Sequence, residues 1–159
     1  MAQPHRIRLR GPWECRPLAW SEPDSHARPL PTAGSLSMPS DWSPIAGPDF
    51  RGRVRFTRRF GCPTGILDGD RVELVVEAVD YAATIELNGQ PLGNTRWGTG
   101  PWRCEITPWL QAANDLRIVV ELPIETPDAA LDRGERTGRP GGLVGEVRLE
   151  IHERSPSDR

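Results

Sequence analysis

Lysine is absent from this chain, cysteine is scarce, and long apolar runs are missing; each absence excludes something. All 20 basic residues are arginine, set among 22 acidic residues for a formal charge of −2. Guanidinium groups favour carboxylate and phosphate partners, but charges of both signs run the whole length, so no one-signed field exists to hold nucleic acid or anionic lipid. The lysine deficit reads as a coding bias. Cys15, Cys62 and Cys104 are an odd number at wide spacing with no CxxC pair, which argues against a disulfide framework and against a thiolate metal site. Free thiols are expected. The N-terminal MAQPHRIRLRGPW carries charge without the apolar run of about 7 to 15 residues that a secretion signal needs. No stretch approaches the roughly 20 apolar residues of a membrane helix, so the expectation is a cytoplasmic protein with no membrane partner.

Catalytic signatures are equally scarce. His5, His26 and His152 are dispersed, and Ser35, Ser37 and Ser40 lack a G-x-S-x-G context, so no triad or metal site is indicated. No D-x-D-x-D-G run occurs either, which leaves a structural calcium ion without support, and no cofactor is expected.

Seventeen prolines and 16 glycines with 36% hydrophobic residues predict short elements joined by turns, the composition of one all-β domain. Period-two alternation supports this, because successive strand side chains point to opposite faces. Ile7 and Leu9 alternate with arginines; Val54, Phe56 and Phe60 lie opposite Arg53, Arg55, Thr57 and Arg59, with Arg58 the misfit. Val72, Leu74 and Val76, then Ile85 and Leu87, then Leu116, Ile118, Val120 and Leu122, and finally Val147, Leu149 and Ile151 repeat the pattern. Arg51, Arg53, Arg55, Arg58 and Arg59 are predicted on a solvent face, offset by Glu73, Glu77 or Glu86 on neighbouring strands.

The stretch Val79–Leu110 is the most informative: a strand, a tight turn, a tryptophan-bearing loop and a second strand. Asn88-Gly89 signals a type I′ turn, which needs φ > 0 at both central residues. Thr107-Pro108 predicts an N-cap and first helical position for a single helical turn ending near Asn114. Pro23–Gly34 and Pro123–Gly142 read as long irregular segments. One domain is predicted over residues 1–153, with 154–159 a disordered tail.

These residues together resemble the N-terminal sugar-binding domain of glycoside hydrolase family 2, the β-galactosidase, β-glucuronidase and β-mannosidase group. The resemblance runs from Trp42 and Val54–Phe60 through Val79-Asp80, Leu87-Asn88-Gly89, Leu92-Gly93, Pro101-Trp102 and Asn114-Asp115-Leu116 to Gly141-Gly142-Leu143, Gly145, Val147 and Leu149. It implies an antiparallel β-sandwich, a jelly roll of the galactose-binding-domain-like type. Family members that hydrolyse glycosides carry two catalytic glutamates on a following (β/α)₈ barrel of about 250 residues, which these 159 residues do not contain. No glutamate here inherits a catalytic role, and the chain is expected not to be an enzyme.

Candidate ligand residues follow from loop chemistry. Trp97 and Trp102 flank Gly98-Thr99-Gly100-Pro101, and an exposed indole stacks on sugar rings. Trp102 is expected to plug the core, as the family's Pro-aromatic position implies, leaving Trp97 to face ligand. The Pro123–Gly142 loop, whose counterpart in the resembling enzymes reaches toward the barrel, contributes Asp128, Asp132 and Arg136; Asp80, at a bend after a buried strand, is the last candidate, with turn-forming hydrogen bonding as its alternative role. The function expected is a non-catalytic carbohydrate-binding module. The alternative is a structural or interaction domain that has lost sugar binding, acting as a homo-oligomer or as partner of a separately encoded glycosidase.

Overall fold

The computed structural model describes residues 3–22, 28–124 and 133–155. Two antiparallel sheets face each other. Strands β1 (His5–Arg8), β12 (Val147–His152), β6 (Arg71–Val76) and β9 (Trp102–Glu105) form the first, in that order. The second runs β3 (Gly34–Leu36), β2 (Trp13–Trp20), β5 (Gly52–Gly61), β10 (Ala113–Leu122), β7 (Ala82–Leu87), β8 (Gln90–Arg96). A short pair, β4 (Ser40–Asp41) with β11 (Gly142–Leu143), closes one end beside the one-turn helix α1 (Ser43–Ala46). This is the all-β antiparallel sandwich that the alternation predicts, and no helix among the described residues is long and apolar enough to cross a membrane.

The apolar half of each alternating strand makes the core. Val54 and Phe56, Ile118 and Val120, Ile85 and Leu87 pack from the six-stranded sheet against Val72, Leu74, Val147 and Leu149 of the four-stranded one. Each such side chain contributes about 1.5–3 kcal/mol relative to exposure. Trp13, fully buried, satisfies its indole by donating from Nε1 to Leu9 O at 2.7 Å.

The Asn88-Gly89 turn forms as expected, with φ of 52° and 81°. Asparagine is favoured there twice over: it tolerates the left-handed conformation, and its side chain ties three segments. Nδ2 donates to Trp109 O and Asn114 Oδ1, while Oδ1 accepts from Asp115 N–H at 2.8 Å.

As the Asn88-Gly89 turn implies, Gln90–Arg96 returns as edge strand β8 along β7; the strand after the tryptophan loop, β9, pairs in the other sheet. Two expectations need correction. The helical turn is a 3-10 turn at Thr107–Trp109 with Ile106 at the N-cap position; the Thr107 hydroxyl instead accepts from Val72 N–H at 2.8 Å, tying the turn to β6. Glu73, Glu77 and Glu86, in turn, are not beside the β5 arginines, since β5 lies between β2 and β10. Register places Arg53 opposite Glu121 and Arg59 opposite Asp115.

Candidate functional site

Asp80 sits where the chain crosses from the four-stranded to the six-stranded sheet, and its backbone bridges Gly142 in both directions at 2.9 and 2.8 Å. This crossing is too tight for a side chain at residue 141. A Cβ on Gly141 would overlap Asp80 O and approach Trp42 Cη2 to 2.9 Å. The Asp80 carboxylate is fully buried and accepts from Arg133 Nε (2.9 Å) and Nη2 (2.6 Å) and from Arg136 Nε (2.9 Å). Arg133 also donates to Arg139 O, and Arg136 to Pro140 O. Removing one partner of a buried pair leaves an uncompensated charge, at a cost of about 3–5 kcal/mol, so this carboxylate fixes the course of the 133–142 segment. The bend is held by an ion pair rather than by turn hydrogen bonds from the Asp80 side chain.

Trp97 joins the same end. It is half-buried, and its backbone N–H donates to Tyr81 O at 2.7 Å. The fold thus gathers Asp80, Arg136 and Trp97 from three separate segments. Asp128 and Asp132 lie outside the described residues.

Beside this end opens a cleft of about 660 Å³ on the six-stranded sheet, within the range of ligand sites. Arg53 (β5), Glu121 (β10), Thr84 (β7), Asn94 and Arg96 (β8) and Trp102 (β9) line it. Its shape follows from sequence. The small Ala82 leaves the floor low, while Thr99, Gly100 and Pro101 wall one side. That loop is pinned by Thr99, whose Oγ1 donates to Arg96 O at 2.8 Å and lies 3.4 Å from Thr95 Oγ1. Trp102, expected as core, packs against the core cluster yet is only half-buried and lines the cleft. The reason is its position as the first residue of an edge strand, β9, which one neighbour alone covers. Neither Arg53, Arg96 nor Glu121 makes a side-chain hydrogen bond or ion pair among the described residues, although Arg53 and Glu121 are cross-strand neighbours.

Alternation places Arg53, Glu121 and Thr84 opposite the core-facing residues of their strands but does not bring them to one site. Their convergence depends on the strand order β5-β10-β7-β8, which alternation does not encode.

The acidic cluster elsewhere is spoken for. Glu73, Glu150 and His152 bring ligand atoms within 4.8 Å of one another, but Arg103 Nη1 donates to both glutamates at 2.8 and 3.0 Å. Burial pushes the Cys15 thiol up to about 12 and raises that of Cys104, which removes both as thiolates at neutral pH. The arrangement can bind and orient a polyhydroxylated ligand, with an indole, hydroxyls, an amide and charges of both signs.

Fold and site together define a galactose-binding-like β-sandwich. Residues 51–149 match the family model of the glycosyl hydrolase 2 galactose-binding-like domain, and the chain belongs to that family. Among solved structures it is similar to the FMN-binding β-glucuronidase of Faecalibacterium prausnitzii L2-6, with 26% identity and a TM-score of 0.72 over 95% of this chain and 23% of the enzyme. It is also similar to the Bifidobacterium dentium β-glucuronidase complexed with coumarin-3-O-glucuronide (22%, 0.67, 94% of this chain and 30% of that one). A third is the Eisenbergiella tayi β-galacturonidase bound to galacturonate (16%, 0.69, 94% and 24%). The chain therefore spans 23–30% of the length of these enzymes, and the match is to a domain outside their catalytic barrel. No curated protein matches.

Proposed function

We propose that this domain is a non-catalytic carbohydrate-binding module that holds a saccharide in the cleft of the six-stranded sheet. The observation that carries this reading is the cleft itself, where the half-buried Trp102 meets Thr84, Asn94 and Glu121 in about 660 Å³. An indole covers the apolar face of a sugar ring, and the polar groups accept from and donate to its hydroxyls. Trp97 and Arg136 extend the site at its adjoining end, with Asp80 as the buried anchor that orients Arg136, and Asp128 and Asp132 take vicinal hydroxyls of a longer ligand. The cytoplasm, where small saccharides and sugar nucleotides are the available ligands, is the setting of the same reading; three free cysteines suit a reducing compartment.

The test is an NMR titration with mono- and oligosaccharides, following backbone and indole N–H signals. Affinity in the millimolar to micromolar range, roughly 4–8 kcal/mol, with shifts at Trp102, Thr84 and Asn94 that Trp102→Ala abolishes, is the expected result. A dispersed spectrum that no sugar moves overturns it.

The span of this chain within the glucuronidase, 23% of that enzyme, favours one second reading: a domain that packs against a glycosidase barrel, or against a second copy of itself. Its measurement is light scattering with and without co-purified partners, and a strictly monomeric protein counts against it.

A further inference from the structure

We infer that the ligand of the cleft is an anionic saccharide, one whose ring carries a carboxylate or phosphate beside its hydroxyls. The inference rests on the cleft being the carbohydrate site. Two guanidinium groups, Arg53 and Arg96, line it against a single carboxylate, Glu121. All three are exposed, and none is paired among the described residues.

What sets Arg53 and Arg96 apart is that they line the cleft together, since Arg59, opposite Asp115 on the same strand as Arg53, also makes no ion pair among the described residues. Arg117, on the same face, folds back along its own strand onto Asp115 at 3.3 Å, and Arg16 lies 3.6 Å from Glu14 on its strand. Arg53 stands directly opposite Glu121 in register and still does not pair. Arg96 faces Ala82, which has nothing to offer it. A neutral sugar would leave both guanidinium groups to water. An oxyanion takes the bidentate fork that carboxylate and phosphate share, and Glu121 remains to accept from hydroxyls. The 96–99 turn, closed by the Thr99 hydrogen bond to Arg96 O, fixes the backbone from which Arg96 reaches.

Calorimetric titration with glucose, galactose, glucuronate, galacturonate and glucose 6-phosphate, at low and high salt, tests the idea. At least one anionic sugar should bind about tenfold more tightly than its neutral parent, the margin one charge-assisted hydrogen bond supplies, and the margin should shrink with salt. Uronates ahead of the phosphate identify a carboxylate ligand, and the reverse order a phosphate. Arg53→Gln and Arg96→Gln should erase the preference, whereas Arg59→Gln, on the same strand outside the cleft, should keep it; an unchanged melting temperature shows that each variant is folded. Neutral and anionic sugars binding equally well would overturn the charge inference and leave the module intact. A preference that survives Arg53→Gln with Arg96→Gln would overturn it too. No binding by any sugar removes the module reading and this inference with it.

Discussion

The outer faces of the two sheets handle charge in opposite ways. On the four-stranded sheet, register sets most charged neighbours like beside like, Glu150 opposite Glu73, Glu73 opposite Glu105 and Arg8 opposite Arg148, with Arg6 opposite Glu150 an opposite-sign couple at 3.6 Å. Like-charged neighbours repel, yet the face is a continuous ion-pair network. Arg148 reaches Glu150 at 2.6 Å, Glu146 at 3.4 Å and also Glu77, and Arg103 reaches Glu73 and Glu150. Arg148 and Glu150 are buried under the surrounding side chains. On the six-stranded sheet register sets opposite charges side by side, Arg53 with Glu121 and Arg117 with Glu86, and neither couple closes an ion pair. Cross-strand sign therefore does not decide pairing. What decides is whether a long guanidinium is held by packing where its fork meets two carboxylates diagonally, or is free in water, where an exposed pair gains about 0–1 kcal/mol against the entropy of holding it.

The largest break in this contrast comes from Arg148→Met. Of its arginine partners, buried Glu150 then keeps only Arg103 and the longer contact to Arg6, so unfolding in urea should show a loss approaching the roughly 3–5 kcal/mol of a broken buried pair, whereas a loss under about 1 kcal/mol would mean that the network is solvated like any surface pair. Acid comes next. Burial opposes ionisation of Glu150, but hydrogen bonds from Arg148 and Arg103 outweigh it and hold its carboxyl below the ordinary 4.5. The folded state then binds fewer protons than the unfolded one, so the stabilisation is full above pH 4.5 and drains away as pH falls through the folded value. Thermal melts across pH 2–6 should show that decline in the parent, and Glu150→Gln should flatten it. The smallest effect sharpens the other side: a double-mutant cycle on Arg53 and Glu121 should give a coupling within about 0.3 kcal/mol of zero. A coupling above about 1 kcal/mol would make the cleft's charges a closed pair and withdraw them from ligand.

Much of the candidate site was half-legible in the sequence. The glycine-flanked context of Trp97 marks it as a loop residue, and its backbone N–H donates to Tyr81 O. Asp80 was picked for its bend, but its carboxylate is engaged by Arg133 and Arg136, residues 53 and 56 positions away. No local signal specifies such a pair. The Pro-Trp context, matching the family's, implies a core position for Trp102, and it is both core contact and cleft wall, since β9 ends its sheet.

Alternation by itself settled the strands and their inner faces, because a period of two assigns each side chain to core or water without reference to any partner strand. Asn88-Gly89 settled the turn for an equally local reason, the positive φ at both residues. Tertiary structure alone decided which strands became neighbours, and with that order came the candidate site: Arg53 beside Glu121, Arg96 beside Ala82, and Asp80 beneath two arginines. These are contacts between residues far apart in the chain, and strand order is set by how the whole apolar surface is buried at once, a sum over the fold that no single stretch of sequence contains.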